Sequence, residues 1–131
     1  MTFLEKLQDS INNEWTAFEF YTKLMSETSN PLYIDFIKHA RDDEKKHYES
    51  FQYLHYLITG KYHDVKPGKV EYKSFEEAII IALKDELEAA ETYRDMLFEL
   101  PNQQAYQPLF VAMTDEMEHA TRFSTIYGSL M

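Results

Sequence analysis

Asp43-Glu44-Lys45-Lys46-His47 and Asp115-Glu116-Met117-Glu118-His119 stand 72 residues apart in this chain. Each follows, by the same 30 residues from glutamate to glutamate, a Glu-x-x-Ala-x-x-x-Tyr run: Glu14 to Tyr21 in the first half, Glu86 to Tyr93 in the second. The acidic residues and histidines of these runs interrupt stripes that are otherwise apolar. Leu4, Leu7, Ile11, Glu14, Phe18, Tyr21 and Met25 step by threes and fours, the spacing of one helix face. So do Tyr33, Ile37, Ala40, Glu44, His47, Phe51, Leu54 and Ile58, then Ile79, Leu83, Glu86, Ala90, Tyr93 and Leu97, and finally Leu109, Ala112, Glu116, His119, Phe123, Ile126 and Leu130.

Shifted by 72 residues without a gap, the stripes match from Leu7/Ile79 to Met25/Leu97 and from Ile37/Leu109 to Ile58/Leu130, with Phe18/Ala90 the one pair within them that is neither identical nor similar. The spacing predicts four helices over about 2–27, 31–59, 74–99 and 103–127. Asn30 is the expected N-cap of the second, with Pro31 at its first position and Gly60 as its stop. Ser74-Phe75-Glu76-Glu77 has the pattern of a capping box for the third. Pro108 leaves the start of the fourth between 103 and 108.

The polar segment 60–73 lacks a helical stripe and is read as a connection. Its 14 residues reach about 46 Å when extended, enough to run the length of a helix of about 39 Å. A short loop, a long crossover and a short loop join two antiparallel hairpins lengthwise. The expected fold is therefore all-α, a single ferritin-like four-helix bundle over residues 1–131.

Composition narrows the chemistry. Gly (3) and Pro (4) are scarce, as long helices require, and the absence of cysteine excludes disulfides, thiolate zinc sites, iron–sulfur clusters and a thiol nucleophile. A net charge of −10 argues against nucleic acid as a partner. No secretory leader pattern and no span long enough for a bilayer is visible, so the expectation is a soluble, cytoplasmic protein without a membrane partner.

Four glutamates facing one core would repel each other and resist ionisation unless compensated. Two divalent cations supply the compensation, with neutral imidazoles as further ligands. Glu44-x-x-His47 and Glu116-x-x-His119 each place both side chains on one helix face, and Glu14 and Glu86 come from the other two helices. The expected ligands are Glu14, Glu44, His47, Glu86, Glu116 and His119. Symmetry makes Glu44 and Glu116 the bridges, Glu14 and Glu86 terminal ligands, and gives each metal one histidine. Two Fe ions are the first choice, with Mn or Zn possible for the same donors.

Around them, Tyr21 and Tyr93 are placed to hydrogen-bond ligand carboxylates. Asp43 and Asp115 are placed to accept the free N–H of a ligand imidazole. Ala17 and Ala89 leave room for metals and a small oxidant. With 15 Glu and 5 His, roughly half of one Glu-x-x-His is expected by chance; two copies in the same register are not. His39, His55 and His63 are read as surface or internally satisfied, and Glu19, Glu88, Glu91 and Glu118 as facing outward.

These runs, above all Asp115-Glu116-Met117-Glu118-His119-Ala120-Thr121-Arg122-Phe123, resemble the rubrerythrin branch of the ferritin-like superfamily, over nearly the whole chain. The resemblance implies an oxygen-sensitive diiron oxidoreductase, usually a homodimer, that reduces hydrogen peroxide to water in oxidative stress and is re-reduced by an electron donor. Two departures stand out. No cysteine-rich rubredoxin-like domain is present, so electrons would come from a separate protein. Where the family carries an extra glutamate three residues after the third-helix ligand, this chain has Ala89. The catalytic chemistry is expected at the metal ligands themselves. The alternatives are a ferritin-like ferroxidase or iron-handling protein using O₂, against which the end of the chain just after helix four counts, and a bundle whose metals are structural. An oxygenase is a weaker fourth.

Overall fold

Four helices and no strand make up the computed structural model, which describes all 131 residues. They are α1 (Phe3–Met25), α2 (Pro31–Thr59), α3 (Phe75–Leu97) and α4 (Tyr106–Ser129), with a single 3-10 turn at Gln103–Ala105 before α4. The expected boundaries are met within two or three residues. Local chemistry sets them. Thr2 and Glu5 form a reciprocal capping box at α1. Asn30 Oδ1 accepts from the backbone of Leu32 and Tyr33 with Pro31 at the first position of α2, and Gly60 closes that helix at φ 81°, a conformation that favours glycine.

At α3 only half of the expected box forms: Ser74 Oγ accepts from Glu77 N at 3.1 Å, and no bond returns from the Glu77 side chain. The proline at 108 distorts nothing. It falls in the first turn of α4, where a backbone N–H has no helical partner to lose.

Side-chain contacts give the helix directions. Gln8, early in α1, meets His55, late in α2, at 3.2 Å. Lys6 pairs with Glu99, just past α3, at 2.9 Å. Tyr33, early in α2, hydrogen-bonds Ser129 at the end of α4. So α1 runs against both α2 and α3, and α2 runs against α4. The 60–74 connection travels along α1 in the same direction: His63 Nε2 lies 3.0 Å from Asn12 Oδ1, Gly68 N donates to Thr16 Oγ1 at 2.8 Å, and the Tyr72 hydroxyl donates to Glu27. No helix is long and apolar enough to cross a membrane.

The apolar core divides into two plugs. One gathers Phe20, Tyr21, Leu24, Ile37, Ile79 and Phe123 with their neighbours, and the other Leu7, Ile11, Phe51, Leu54, Tyr93 and Leu109 with theirs. The expected stripes hold on α2 and α4 apart from their half-buried ends. On α1, Phe20 and Leu24 are buried in place of Phe18 and Met25; on α3, Ala82 and Met96 are buried more fully than Leu83 and Leu97. The crossover causes the shift on α1. Tyr72 packs its ring 5.6 Å from that of Phe20 and covers a flank that a bare four-helix bundle would expose. Phe18 instead stacks on Trp15 at 5.1 Å.

Removing a plug side chain leaves a cavity, so Leu24→Ala should cost about 3 kcal/mol in urea unfolding. Leu57→Ala, on a side chain that is 40% exposed, should stay within about 0.5 kcal/mol.

Candidate metal centre

Between the two plugs lies a polar layer. Glu14 of α1, Glu44 and His47 of α2, Glu86 of α3, and Glu116 and His119 of α4 are each no more than 3% exposed. Helical spacing turns each Glu-x-x-His pair to one face, and the opposed directions of α2 and α4 bring the two pairs together.

The donor atoms converge in two groups with shared members. Nδ1 of His47 lies 3.3 Å from Glu14 Oε2, 3.5 Å from Glu44 Oε1 and 3.3 Å from Glu116 Oε1. Nδ1 of His119 lies 3.3 Å from Glu44 Oε1, 3.3 Å from Glu86 Oε2 and 3.4 Å from Glu116 Oε1. Glu44 and Glu116 belong to both groups; Glu14 and Glu86 belong to one each. Donors about 2.1 Å from a common cation stand roughly 3.0–3.4 Å apart, so these separations suit one cation per group. Hydrogen bonding leaves the same vacancies. Glu14 Oε2, Glu44 Oε1, Glu116 Oε1 and His47 Nδ1 are buried without a partner, a costly arrangement unless something else contacts them. The residues fit a pair of metal ions.

Each outward atom of this layer is held by a residue of the opposite half. The Tyr21 hydroxyl donates to Glu86 Oε1 at 2.5 Å, and the Tyr93 hydroxyl donates to Glu14 Oε1. His47 Nε2 lies 2.8 Å from Asp115 Oδ2, and His119 Nε2 lies 2.8 Å from Asp43 Oδ2. With each Nε2–H donating to an aspartate, a neutral ring would turn its Nδ1 lone pair to the interior. The tyrosines and aspartates expected from the sequence are all here, each serving the other repeat.

The repeat symmetry breaks one shell further out. His39 Nε2 lies 3.2 Å from Asp43 Oδ2 and 3.2 Å from Glu118 Oε1. The positions 72 residues away from His39 and Glu118 are Val111 and Lys46, so Asp115 has no matching imidazole. The contact between His39 and Asp43 was not anticipated, although their spacing of four on one helix is a signal for it. The other readings stand: His55 is buried and bonded to Lys61 O at 2.6 Å, His63 is half-buried, and Glu19, Glu91 and Glu118 face solvent. Glu88 also faces solvent, but at the rim of a cavity.

That cavity, about 300 Å³, opens between α1 and α3 and reaches Glu14, Glu44, Glu86 and Glu116, with Ala17 and Ala89 in its wall.

Protons balance the layer when no cation does. Burial, with the Glu44 carboxylate beside it, pushes the Glu14 carboxyl up to about 8. Burial first and Glu44 second also raise Glu86 and Glu116. Burial opposes the charge on Glu44 too, but the His119 and His47 rings beside it outweigh that and hold this carboxyl low. Burial likewise opposes charge on the imidazoles. Glu14 and Asp115 beside it overcome this at His47, and the hydrogen bond to Asp43 with Glu116 close by overcomes it at His119, so with no cation in the layer both are held protonated. Burial, with Glu86 and Glu14 respectively, raises Tyr21 and Tyr93, which remain donors.

The raised carboxyls and raised imidazoles bind more protons folded than unfolded, so each group's contribution falls as pH rises through its window. For Glu14 that window runs from 4.5 to about 8. Urea unfolding in EDTA should therefore show the metal-free chain losing stability from about pH 5 to pH 9, and Glu14→Gln should flatten part of that slope. A stability that rises over this range would contradict the protonated layer.

No protein-family model matches the chain. A crystal structure of a conserved hypothetical protein, rv2844, from Mycobacterium tuberculosis has the same fold, with a TM-score of 0.80 over 95% of this chain and 89% of that one at 17% identity. In sequence, the chain is 31% identical over 122 residues to the uncharacterized protein YhjR of Bacillus subtilis (strain 168), an alignment spanning 92% of this chain and 83% of that protein. At that identity and coverage, this chain belongs to the YhjR family.

Proposed function

We propose that this chain is a ferritin-like bundle of rubrerythrin type that holds two metal ions, iron before manganese or zinc, and reduces hydrogen peroxide with electrons from a separate donor protein. The observation that carries the reading is the pair of donor groups sharing Glu44 and Glu116, with unpartnered oxygens and an unpartnered imidazole nitrogen turned inward. Helix directions and a crossover lying along α1 support the ferritin-like arrangement. The assembly is taken to be a homodimer, which sedimentation tests.

Glu44 and Glu116 would bridge, Glu14 and Glu86 would each complete one side, and His47 and His119 would each contribute Nδ1. A bound iron pair brings reversible two-electron exchange with a small oxidant, as in H₂O₂ + 2H⁺ + 2e⁻ → 2H₂O. The chain's own residues do the rest. Tyr21 and Tyr93 pin the outer oxygens of Glu86 and Glu14. Asp43 and Asp115 orient the imidazoles. The two plugs keep bulk water from both ends of the layer, and Ala17 and Ala89 leave the cavity open to a molecule the size of peroxide. A second reading, a ferroxidase that oxidises Fe²⁺ with O₂, is favoured by the cavity's lining, which has six carboxyls and no basic side chain.

Anaerobic loading with Fe²⁺ should yield two irons per chain, rapid oxidation on mixing with H₂O₂ and slow oxidation with O₂ in stopped-flow absorbance. The reverse order of rates would select the ferroxidase, and no oxidation by either would leave a structural pair. Glu44→Ala or Glu116→Ala should lose at least one metal per chain, whereas Glu19→Ala should lose none; equal metal content in all three would refute the ligand assignment. Loading should also release protons and weaken as the pH falls below the range where Glu14 titrates, about 8, as calorimetry in buffers of different ionisation enthalpy would measure.

A further inference from the structure

A cavity leads from solvent to the carboxylates of the buried layer. The 300 Å³ cavity between α1 and α3 is walled by uncharged side chains, small ones such as Ala17, Ala89 and Thr92 beside the aromatic rings of Phe20, Tyr21 and Tyr93, and overhung by Val70 of the crossover. At its solvent edge stand Asp85 and Glu88, both exposed; at its floor stand Glu14, Glu44, Glu86 and Glu116. No lysine, arginine or histidine lines it. Three of the floor oxygens, Glu14 Oε2, Glu44 Oε1 and Glu116 Oε1, are buried and unpartnered. The opposite side of the bundle is different. A second concavity, about 520 Å³, runs between α2 and α4, but it touches only the outer edge of the layer at His47 and Asp115, carries Lys46, and reaches none of the four glutamates.

We propose that divalent cations load the core through the cavity between α1 and α3, gathered at its rim by Asp85 and Glu88, which are not themselves ligands. A narrow cleft lined by one sign of charge focuses its field and raises the local concentration of counter-ions, accelerating association by about tenfold or more at low salt. The two rim carboxylates add to the field of the buried glutamates and continue it to the surface. Their charge selects against anions, so an anionic small molecule approaching by this route is repelled. The cavity walls supply no competing cation, and the small side chains of Ala17 and Ala89 leave space beside the aromatic ones, so a cation that enters meets carboxyl oxygens from rim to floor. The inference rests on the two-metal reading, because it needs a core that takes cations.

Stopped-flow uptake of Co²⁺ by the metal-free chain, followed by its visible absorption and completed by an equilibrium titration, tests both statements separately. Asp85→Asn with Glu88→Gln should slow uptake about tenfold at 20 mM or so of salt, and the deficit should shrink as salt is raised, with two cobalt ions per chain still bound at equilibrium. Glu19→Gln with Glu91→Gln removes the same charge away from the cavity and should change the rate less than about twofold. Ala89→Phe, which narrows the passage without changing charge, should also slow uptake. Equal rates for the rim and control pairs would overturn the loading route while leaving the metal site intact. Failure of the unaltered chain to bind cobalt at all would instead overturn the two-metal reading on which the route depends.

Discussion

Four carboxyls and two imidazoles share one dry layer, and the rest of the molecule is arranged around that fact. Burial disfavours each charge, and proximity disfavours like charges together. The layer is tolerable only when protons or cations balance it. Its neighbours above and below are apolar plugs, which provide the stability the layer does not. The helices carry both at once because a stripe in steps of three and four continues through the polar positions without a break. Leu7, Ile11, Glu14 and Tyr21 lie on one face of α1, so the same helix that packs the plugs also presents a carboxyl to the layer.

The two repeats are bound to each other by their polar partners rather than by their apolar ones alone. Tyr21 serves Glu86 and Tyr93 serves Glu14; Asp43 serves His119 and Asp115 serves His47. Neither half could satisfy its own layer. The exchange gives two nearly equivalent groups of inward donor atoms, and the outer residues make them unequal. Asp43 is tied to His39 as well as to His119, while Asp115 faces a groove with Lys46 and Val111. The cavity adds a second asymmetry, since it opens on the α1–α3 wall, where Ala17 and Ala89 both line it.

A ligand set with a solvent-connected pocket on one side and oriented imidazoles on the other is what a small-molecule redox reaction at a metal pair requires. Metals held only for stability are better enclosed on every side. The proposed turnover, rather than a purely structural role, rests on the 300 Å³ cavity. The alanine at position 89 contributes to that space directly, because a longer acidic side chain there would occupy the wall of the passage.

The sequence alone determined the four helices, the cap residues Asn30, Gly60 and Ser74, and the six inward acidic and histidine residues, because these depend on local propensity and on a periodicity that every turn of helix repeats. Two Glu-x-x-His runs in register with two Glu-x-x-Ala-x-x-x-Tyr runs are legible without coordinates, since a helix converts spacing directly into a face. Tertiary structure decided what spacing cannot express. It decided that tyrosine and aspartate partners cross between repeats, because the directions of α1 against α3 and α2 against α4 bring distant segments together. It decided that Phe20 is buried and Phe18 is not, because the crossover lies on one flank of α1. It decided that Asp85 and Glu88, indistinguishable in sequence from other solvated acids, stand at the rim of the passage to the buried carboxylates, because only the packed helices have an opening there.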